Sequence, residues 1–288
     1  MTVKIVTRRS TSRMLLRVMG NTLSYILLCL VAIIFIIPFY WMLTASFKPE
    51  QDVFTVPLRW WPTRWRFQNY VDVVNRVPML LFTFNSLKIC VLGTLGTLWS
   101  CSLAAYAFAR LRIPGKDIIF MILLSTMMVP GEVTLIPVYL IMTLLRLVNT
   151  HEALYLGAFF GGAYGTFLLR QFFRTLPPEL DDAALIDGCS RFGIYWRIYL
   201  PLSKPALATL GVFTFMGYWN DLLGPVIYLN DRDKLTLAVG MTYFRGFYSS
   251  EWNLLMAACV ISVAPILVIY GLAQKYFVQG IALTGLKG

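Results

Sequence analysis

Charged side chains are scarce in this sequence of 288 residues, of which Asp, Glu, Lys and Arg make up only 14%. An average soluble domain contains about 25% charged and roughly 45–50% apolar residues. Here apolar residues reach 58% and the mean hydropathy is +0.68. This composition excludes a disordered chain, a disulfide-stapled module and an ordinary soluble enzyme.

Groups that carry metal or nucleophilic chemistry are equally rare. His151 is the only histidine, and no second histidine or cysteine cluster accompanies it, so a metal site is not expected. The phosphate-binding pattern G-x-x-x-x-G-K-[ST] is absent from the sequence, because Gly115 and Lys116 lack the upstream glycine and precede Asp117. The sequence therefore predicts that this chain binds no cofactor and does not itself hydrolyse ATP by that chemistry.

What the sequence does contain is long apolar stretches. Six of them carry no charge or a single acid, over residues 21–43, 89–109, 118–145, 153–169, 205–230 and 253–274. A helix needs about 20 residues to cross the hydrocarbon layer of a membrane. The expected fold is therefore all-α, a polytopic membrane protein with six transmembrane helices.

The distribution of basic residues predicts the orientation of these spans. Five basic residues precede the first span, namely Lys4, Arg8, Arg9, Arg13 and Arg17. Only Lys48 and Arg59 follow it closely, so the N-terminus is expected in the cytoplasm. Six spans then return the C-terminus to the same side. The first span is too long for the apolar core of a signal peptide, so it is expected to be retained.

These predictions divide the chain into five parts. They are a cytoplasmic tail over 1–20, a first transmembrane helix over 21–45, an external segment over 46–80, a core of five spans over 81–275 and a cytoplasmic tail over 276–288. The external segment interleaves Trp60, Trp61 and Trp65 with arginines. Tryptophan prefers the headgroup level of a membrane, so we expect this segment to contact lipid rather than nucleic acid, despite the net charge of +11.

The loop over 176–205, between the fourth and fifth predicted spans, is rich in residues that start, cap or end helices. Its Pro177-Pro178 pair can start a helix, and acids follow in the first turn, where they suit the helix dipole. Gly188 can supply a left-handed stop, and Ser190 can cap a second short helix that Pro201 is expected to end. That helix carries an aromatic face, formed by Phe192, Tyr195, Trp196 and Tyr199.

This loop resembles the EAA loop of permease subunits of binding-protein-dependent ABC importers. The family pattern is EAA, then DG, then a distant P-x-x-x-P. Here it reads Asp182-Ala183-Ala184, Asp187-Gly188, Pro201 and Pro205. Beyond these motif residues, the sequence of the loop is similar to that of the maltose-type subfamily, which imports sugars. Other segments are similar to this subfamily as well, over residues 46–49, 85–86, 104–109, 114–116, 219–221 and 287–288.

Two residues depart from the family pattern. Asp182 stands where the family has glutamate, and Cys189 stands where it has alanine. The shorter side chain of Asp182 has less reach than a glutamate toward an arginine of a partner subunit.

The resemblance implies a type I ABC importer fold in a bacterial or archaeal inner membrane. The chain would form half of the pathway for a sugar or sugar-like solute. Its partners would be a second homologous permease, two ATP-binding subunits that use ATP and Mg, an extracytoplasmic solute-binding protein and membrane lipid. The surface that docks on the ATP-binding subunit would consist of Asp182, Ala183, Ala184, Asp187, Gly188 and Arg191. Arg191 and the nearby Arg197 could equally contact lipid headgroups.

Two acids inside predicted spans suggest a path for the substrate. Glu132 and Asp221 each lie fifteen residues beyond the expected cytoplasmic start of their span, or roughly 22 Å along a helix. Because an acid in hydrocarbon is costly, both are expected to face an outward cavity together with Tyr218, Trp219 and Asn220. The alternative is a structural acid paired with Lys88 or another polar group.

Small residues repeat in the fourth predicted span. Gly157, Gly161 and Gly165 are four residues apart and would share one helix face, which lets another helix approach closely. The partner helix would belong either to this chain or to another subunit.

Two other functions remain open at this point. A membrane-embedded enzyme would need paired catalytic groups, and only Glu132 and Asp221 are available, without a family motif. A self-sufficient secondary transporter is disfavoured because the sequence shows no inverted repeat.

Overall fold

Every regular element of the described chain is helical, as the sequence predicts. A computed structural model describes residues 8–244 and 251–285, and their side chains over 18–244, 251–271 and at 274. The predicted tails over 1–20 and 276–288 therefore lie partly outside the described residues, and so do the basic residue Lys4 and the C-terminal pair 287–288. The first helix begins at Arg8, well before the predicted boundary at 21.

Fourteen α-helices follow one another along the described residues. In chain order they are α1 (Arg8–Ala45), α2 (Gln68–Arg76), α3 (Met79–Arg110), α4 (Lys116–Ser125), α5 (Gly131–Leu144), α6 (Glu152–Tyr155), α7 (Ala163–Thr175), α8 (Glu179–Ile186), α9 (Arg191–Ile194), α10 (Leu200–Leu202), α11 (Lys204–Trp219), α12 (Leu223–Tyr228), α13 (Leu237–Thr242) and α14 (Trp252–Gly285). A π-helical turn over Tyr195–Tyr199 joins α9 to α10.

Three helices in the described residues are long and apolar enough to cross a membrane, over Val18–Ala45, Met79–Arg110 and Trp252–Gly271. Two bent pairs raise the number to five if each pair is one span. The pair Lys116–Met128 and Gly131–Leu144 bends by 103°. The bend falls at Pro130, whose extended backbone ends the helical path.

The fourth predicted span, 153–169, is not one continuous helix. It consists of α6, a 3₁₀ segment over Leu156–Phe160 and the start of α7. Gly161 has a φ of 86°, outside the helical range, so the helical path is interrupted there before α7 begins. Consequently Gly157, Gly161 and Gly165 do not share one helix face, and that prediction is wrong.

The fifth predicted span is shorter than its apolar stretch. Its helix α11 ends at Trp219, and a separate helix α12 follows after Asn220, Asp221 and Leu222. α11 meets the preceding helical segment, Arg191–Leu202, at 78°. Asp221 thus lies in a connection rather than within a span.

The buried side chains form two main clusters along α3. The Tyr199 cluster surrounds the end of α3 near Arg110 and consists of Cys101, Ala105, Tyr106, Leu169, Phe173, Ala184, Ile194, Tyr195, Tyr199, Ala206 and Leu210. The Trp219 cluster surrounds its other half and includes Phe82, Cys90, Phe215, Trp219, Leu237 and Ala258. By contrast, every side chain of α1 from Val18 to Tyr40 is exposed. Such a large apolar surface requires lipid or another protein around it.

The predicted external segment folds back onto the end of α1. Trp60 packs edge-on against Trp41 and Trp61 stacks on Tyr40, while both tryptophans keep about half of their surface exposed. Lys48 is buried, places its Nζ 4.0 Å from the centre of the Trp41 ring and donates to the Arg59 carbonyl. Burial lowers the pKa of Lys48, although Asp52 nearby opposes the shift.

Candidate functional site

The loop over 176–205 folds locally as its sequence predicts. Helix α8 follows the proline pair and carries acids in its first turn. Gly188 ends it with a φ of 77°, a conformation that favours glycine. Ser190 caps the next helix, because its Oγ accepts a hydrogen bond of 3.1 Å from the Gly193 N–H. Pro201, however, does not end that helix, which continues through α10 before the chain turns at Ser203.

The predicted docking residues do not all reach the surface. Asp182, Ala183, Asp187, Gly188 and Arg191 are exposed. Ala184 is only 5% exposed and belongs to the Tyr199 cluster, so its placement on the docking surface is wrong. Sequence reasoning also missed Leu185 and Ile186, which expose 37% and 86% of their surface.

A buried polar junction holds α8 in place, and sequence reasoning missed it. Asp181 accepts a hydrogen bond of 2.6 Å from the Tyr199 hydroxyl, and its Oδ2 lies 3.7 Å from the Arg110 Nε. The Arg110 and Asp181 side chains are 10% and 9% exposed. One signal was available in the sequence: Asp181 lies three residues before Ala184, the spacing of one helix face.

The aromatic helix divides its side chains between two environments. Tyr195 and Tyr199 are buried, and the Tyr195 hydroxyl lies 2.8 Å from the Ser102 Oγ of α3. Phe192 and Trp196 keep 57% and 53% of their surface exposed beside the loop. The loop thus exposes the apolar side chains of Phe192 and Trp196, while Tyr195 and Tyr199 form its buried base.

An open pocket of about 380 Å³ lies on α11 and is lined by Thr214, Gly217, Tyr218 and Asp221. The Asp221 carboxylate accepts a hydrogen bond of 3.1 Å from the Gly224 N–H, which caps α12. An acid, a phenol ring and a hydroxyl in one open pocket suit a polar solute.

Three residues predicted for the same path do not line this pocket. Trp219 is 4% exposed, belongs to the Trp219 cluster and stacks on Phe215. Asn220 turns its side-chain amide back to the Met216 carbonyl. Glu132 is exposed at the start of α5. Burial thus keeps Trp219 out of this pocket, while the grouping of Asn220 and Glu132 with the substrate path stays a prediction.

Lys88 contacts partners other than Glu132 and Asp221. Its Nζ lies 4.0 Å from the Glu152 carboxylate and 3.5 Å from the His151 Nδ1. The His151 Nε2 lies 2.8 Å from the Lys234 carbonyl. Within the described residues, no group of three His, Cys, Asp or Glu side chains could hold a metal ion. His151 is thus part of a hydrogen-bonded junction.

Fold and site together define a class: a helical membrane protein with an open pocket along its bundle and a two-helix loop packed at one end, as a transport subunit needs. The family model for the inner membrane component of binding-protein-dependent transport systems matches residues 8–283, and the chain belongs to this family.

Individual relatives agree with this family. The "Probable ABC transporter permease protein YurM" of Bacillus subtilis (strain 168) is 34% identical over 272 residues, covering 93% of this chain and 89% of that protein. The "Arabinooligosaccharides transport system permease protein AraQ" of the same strain is 31% identical over 262 residues, covering 90% and 93%. A solved chain of a bacterial ABC transporter involved in the import of the acidic polysaccharide alginate matches with a TM-score of 0.77 and 24% identity, covering 96% of this chain and 100% of that chain.

The fold is therefore that of an ABC importer permease, and the resemblance noted in the sequence is confirmed. The chain is an inner membrane permease of a binding-protein-dependent importer. Permeases of this kind work in a complex with other subunits, and the family is not catalytic by itself.

Proposed function

We propose that this chain forms half of the transmembrane pathway for a sugar or sugar-like solute and is driven by separate ATP-binding subunits. The observation that carries the proposal is the exposed loop with its D-A-A and D-G elements, folded on a buried base at one end of the bundle. The sugar class is supported by the name of the arabinooligosaccharide permease, a relative over nine-tenths of this chain.

The docking surface that we propose is a revised set of loop residues. It keeps Asp182, Ala183, Asp187, Gly188 and Arg191, which are exposed, and adds Ile186. Ala184 supports this surface from below. An exposed isoleucine among acids and one arginine can enter an apolar cleft while the charges fix its orientation.

The remaining assignments follow from this role. A second homologous permease would complete the pathway, two ATP-binding subunits would hold ATP and Mg, and an extracytoplasmic binding protein would deliver the solute. Both termini would then lie in the cytoplasm, on the side of the loop.

Co-purification in mild detergent tests the proposal. We expect this chain to be recovered with a second permease and the ATP-binding subunits, and uptake of radiolabelled maltose or arabinobiose by proteoliposomes to require ATP and a binding protein. Uptake at the full rate by this chain alone would show instead a self-sufficient secondary transporter. Recovery without any ATP-binding subunit would also contradict the proposal.

We place the substrate path at the pocket and therefore limit it to Tyr218 and Asp221. Replacing Asp221 by Ala is expected to raise the solute concentration for half-maximal uptake about tenfold, the equivalent of ~1.4 kcal/mol of binding. Asp221→Asn retains an oxygen that can accept from the Gly224 N–H, so it separates loss of charge from loss of the cap.

Glu132→Ala is the matched control for this prediction, because Glu132 is an acid that the pocket does not include. We expect wild-type uptake from it. Equal losses in Glu132→Ala and Asp221→Ala would contradict the assignment of the path to this pocket.

A further inference from the structure

We propose that Arg110 is a positioning residue that fastens the loop helix α8 to the end of α3, so that α3 carries movements of the loop to the pocket. The inference rests on the proposed function, because it requires the loop to bind an ATP-binding subunit.

Arg110 joins four elements at one buried point. Its Nη2 donates to the Phe173 carbonyl at 2.6 Å and also to the Leu176 carbonyl, at the end of α7. Its Nε faces Asp181 of α8 at 3.7 Å. Its guanidinium carbon lies 5.1 Å from the centre of the Tyr199 ring.

The planar guanidinium explains why arginine stands here. It presents several N–H donors in a fixed fork, so it can bind two carbonyls and a carboxylate at once, which a lysine ammonium does less well. Tyr199 adds a hydrogen bond to the same carboxylate. As α8 shifts, Asp181 must move with Arg110 or leave a buried charge unpaired, and an unpaired buried charge is strongly unfavourable.

The other half of α3 contacts the pocket. Gly93 lies against the Tyr218 ring so closely that a side-chain carbon at that position would overlap it. Tyr218 in turn lines the pocket with Asp221. Seventeen residues separate Gly93 from Arg110 along one unbroken helix, or about 25 Å. A helix of this kind moves as a body and can link the loop to the pocket.

A structural role and a coupling role predict different results for this junction. A buried ion pair is often no more stabilising than apolar side chains of similar volume. If the role were only structural, Arg110→Met would change the amount of folded protein but not the link between ATP and the pocket. The test therefore measures that link.

The experiment uses the intact transporter complex with a reporter cysteine in the pocket. Gly217→Cys suits this purpose, because a Cβ there meets no atom within 4 Å. Its reaction with a membrane-impermeant maleimide is followed before and after addition of ATP and vanadate. We expect the reporter complex to change its labelling rate at least about fivefold, and Arg110→Met to abolish the change while the ATP-binding subunits still co-purify.

Arg112→Met is the matched control, because Arg112 is exposed two residues further on and takes part in none of these contacts. In Arg112→Met, ATP and vanadate should change the labelling rate as much as in the parent reporter. Should Arg110→Met not accumulate, Asp181→Asn carries the same test, since it removes the charge but retains an acceptor for Tyr199.

A full labelling change in Arg110→Met or Asp181→Asn would overturn the inference. Absence of any ATP-dependent change in the parent reporter would instead overturn the proposed function. Loss of the change in the junction variants, with Arg112→Met unaffected, would support the role of Arg110.

Discussion

Gly188→Leu is expected to reduce uptake to below about a tenth of the wild-type rate, while the chain still inserts into the membrane. Gly188 has a φ of 77°, and a side chain in this conformation costs roughly 1–2 kcal/mol. No atom lies within 4 Å of an added Cβ, so the variant is not excluded by clashes. The strain is relieved by changing the turn, which reorients α8 against α9 and displaces Asp187. Uptake by proteoliposomes and the amount of chain in the membrane measure the two effects separately.

Gly115 offers a matched control for this prediction. It has a φ of 73°, no atom lies within 4 Å of an added Cβ, and it lies outside the loop. Gly115→Leu introduces the same strain and is expected to lower uptake less than about threefold. Wild-type uptake in Gly188→Leu, or equal losses in both variants, would show that the turn at Gly188 is not part of the docking surface.

Gly165→Leu is expected to destabilise the protein by about 3 kcal/mol, seen as a fall in Tm of about 6–12 °C. Gly165 is buried where α7 crosses α3 and α11. An added Cβ would lie 2.8 Å from the Cys101 Sγ and 3.1 Å from the Leu210 side chain. These neighbours belong to the Tyr199 cluster, so displacing them also disturbs the base of the loop. Thermal unfolding in detergent, followed by the fluorescence of the tryptophans, measures the shift.

Gly157→Leu separates packing within this chain from contact with another subunit. Gly157 is exposed, and an added Cβ meets no atom within 4 Å. We expect the purified chain to retain its Tm. If Gly157→Leu lowers the Tm of the assembled transporter but not that of the purified chain, Gly157 lies at a contact between subunits. A Tm of Gly165→Leu equal to the wild-type value would contradict the close packing described for α7.

The loop shows how far local sequence patterns determine structure. The left-handed glycine and the serine cap each depend on the backbone within a few residues, so their sequence signals are sufficient. Pro201 is the exception, because a proline near the start of a short helical segment is tolerated there.

The fourth span shows the opposite case. Gly157, Gly161 and Gly165 have the spacing of a packing face, but Gly161 leaves the helical conformation. Glycine adopts helical and left-handed conformations with similar ease, so a spacing pattern cannot state which one is realised. Only Gly165 is tightly packed against both α3 and α11.

The substrate path was predicted from the depth of residues along their helices, and depth alone does not state in which direction a side chain points. Tyr218, Trp219, Asn220 and Asp221 are consecutive, and a helix end distributes such residues over different directions. The fold buries Trp219 in the core and leaves Tyr218 and Asp221 at the pocket.

By itself, the sequence determined the all-α membrane fold, the family and the turn at Gly188, because hydropathy, motif spacing and short-range backbone preferences are local properties. The tertiary structure alone decided that Asp181 is buried against Arg110 while Asp182 is exposed. It also broke the fourth span and ended the fifth at Trp219. The physical reason is that most faces of a membrane helix are apolar, so hydrophobicity does not mark the face that packs against protein. Side-chain packing and buried hydrogen bonds make that choice.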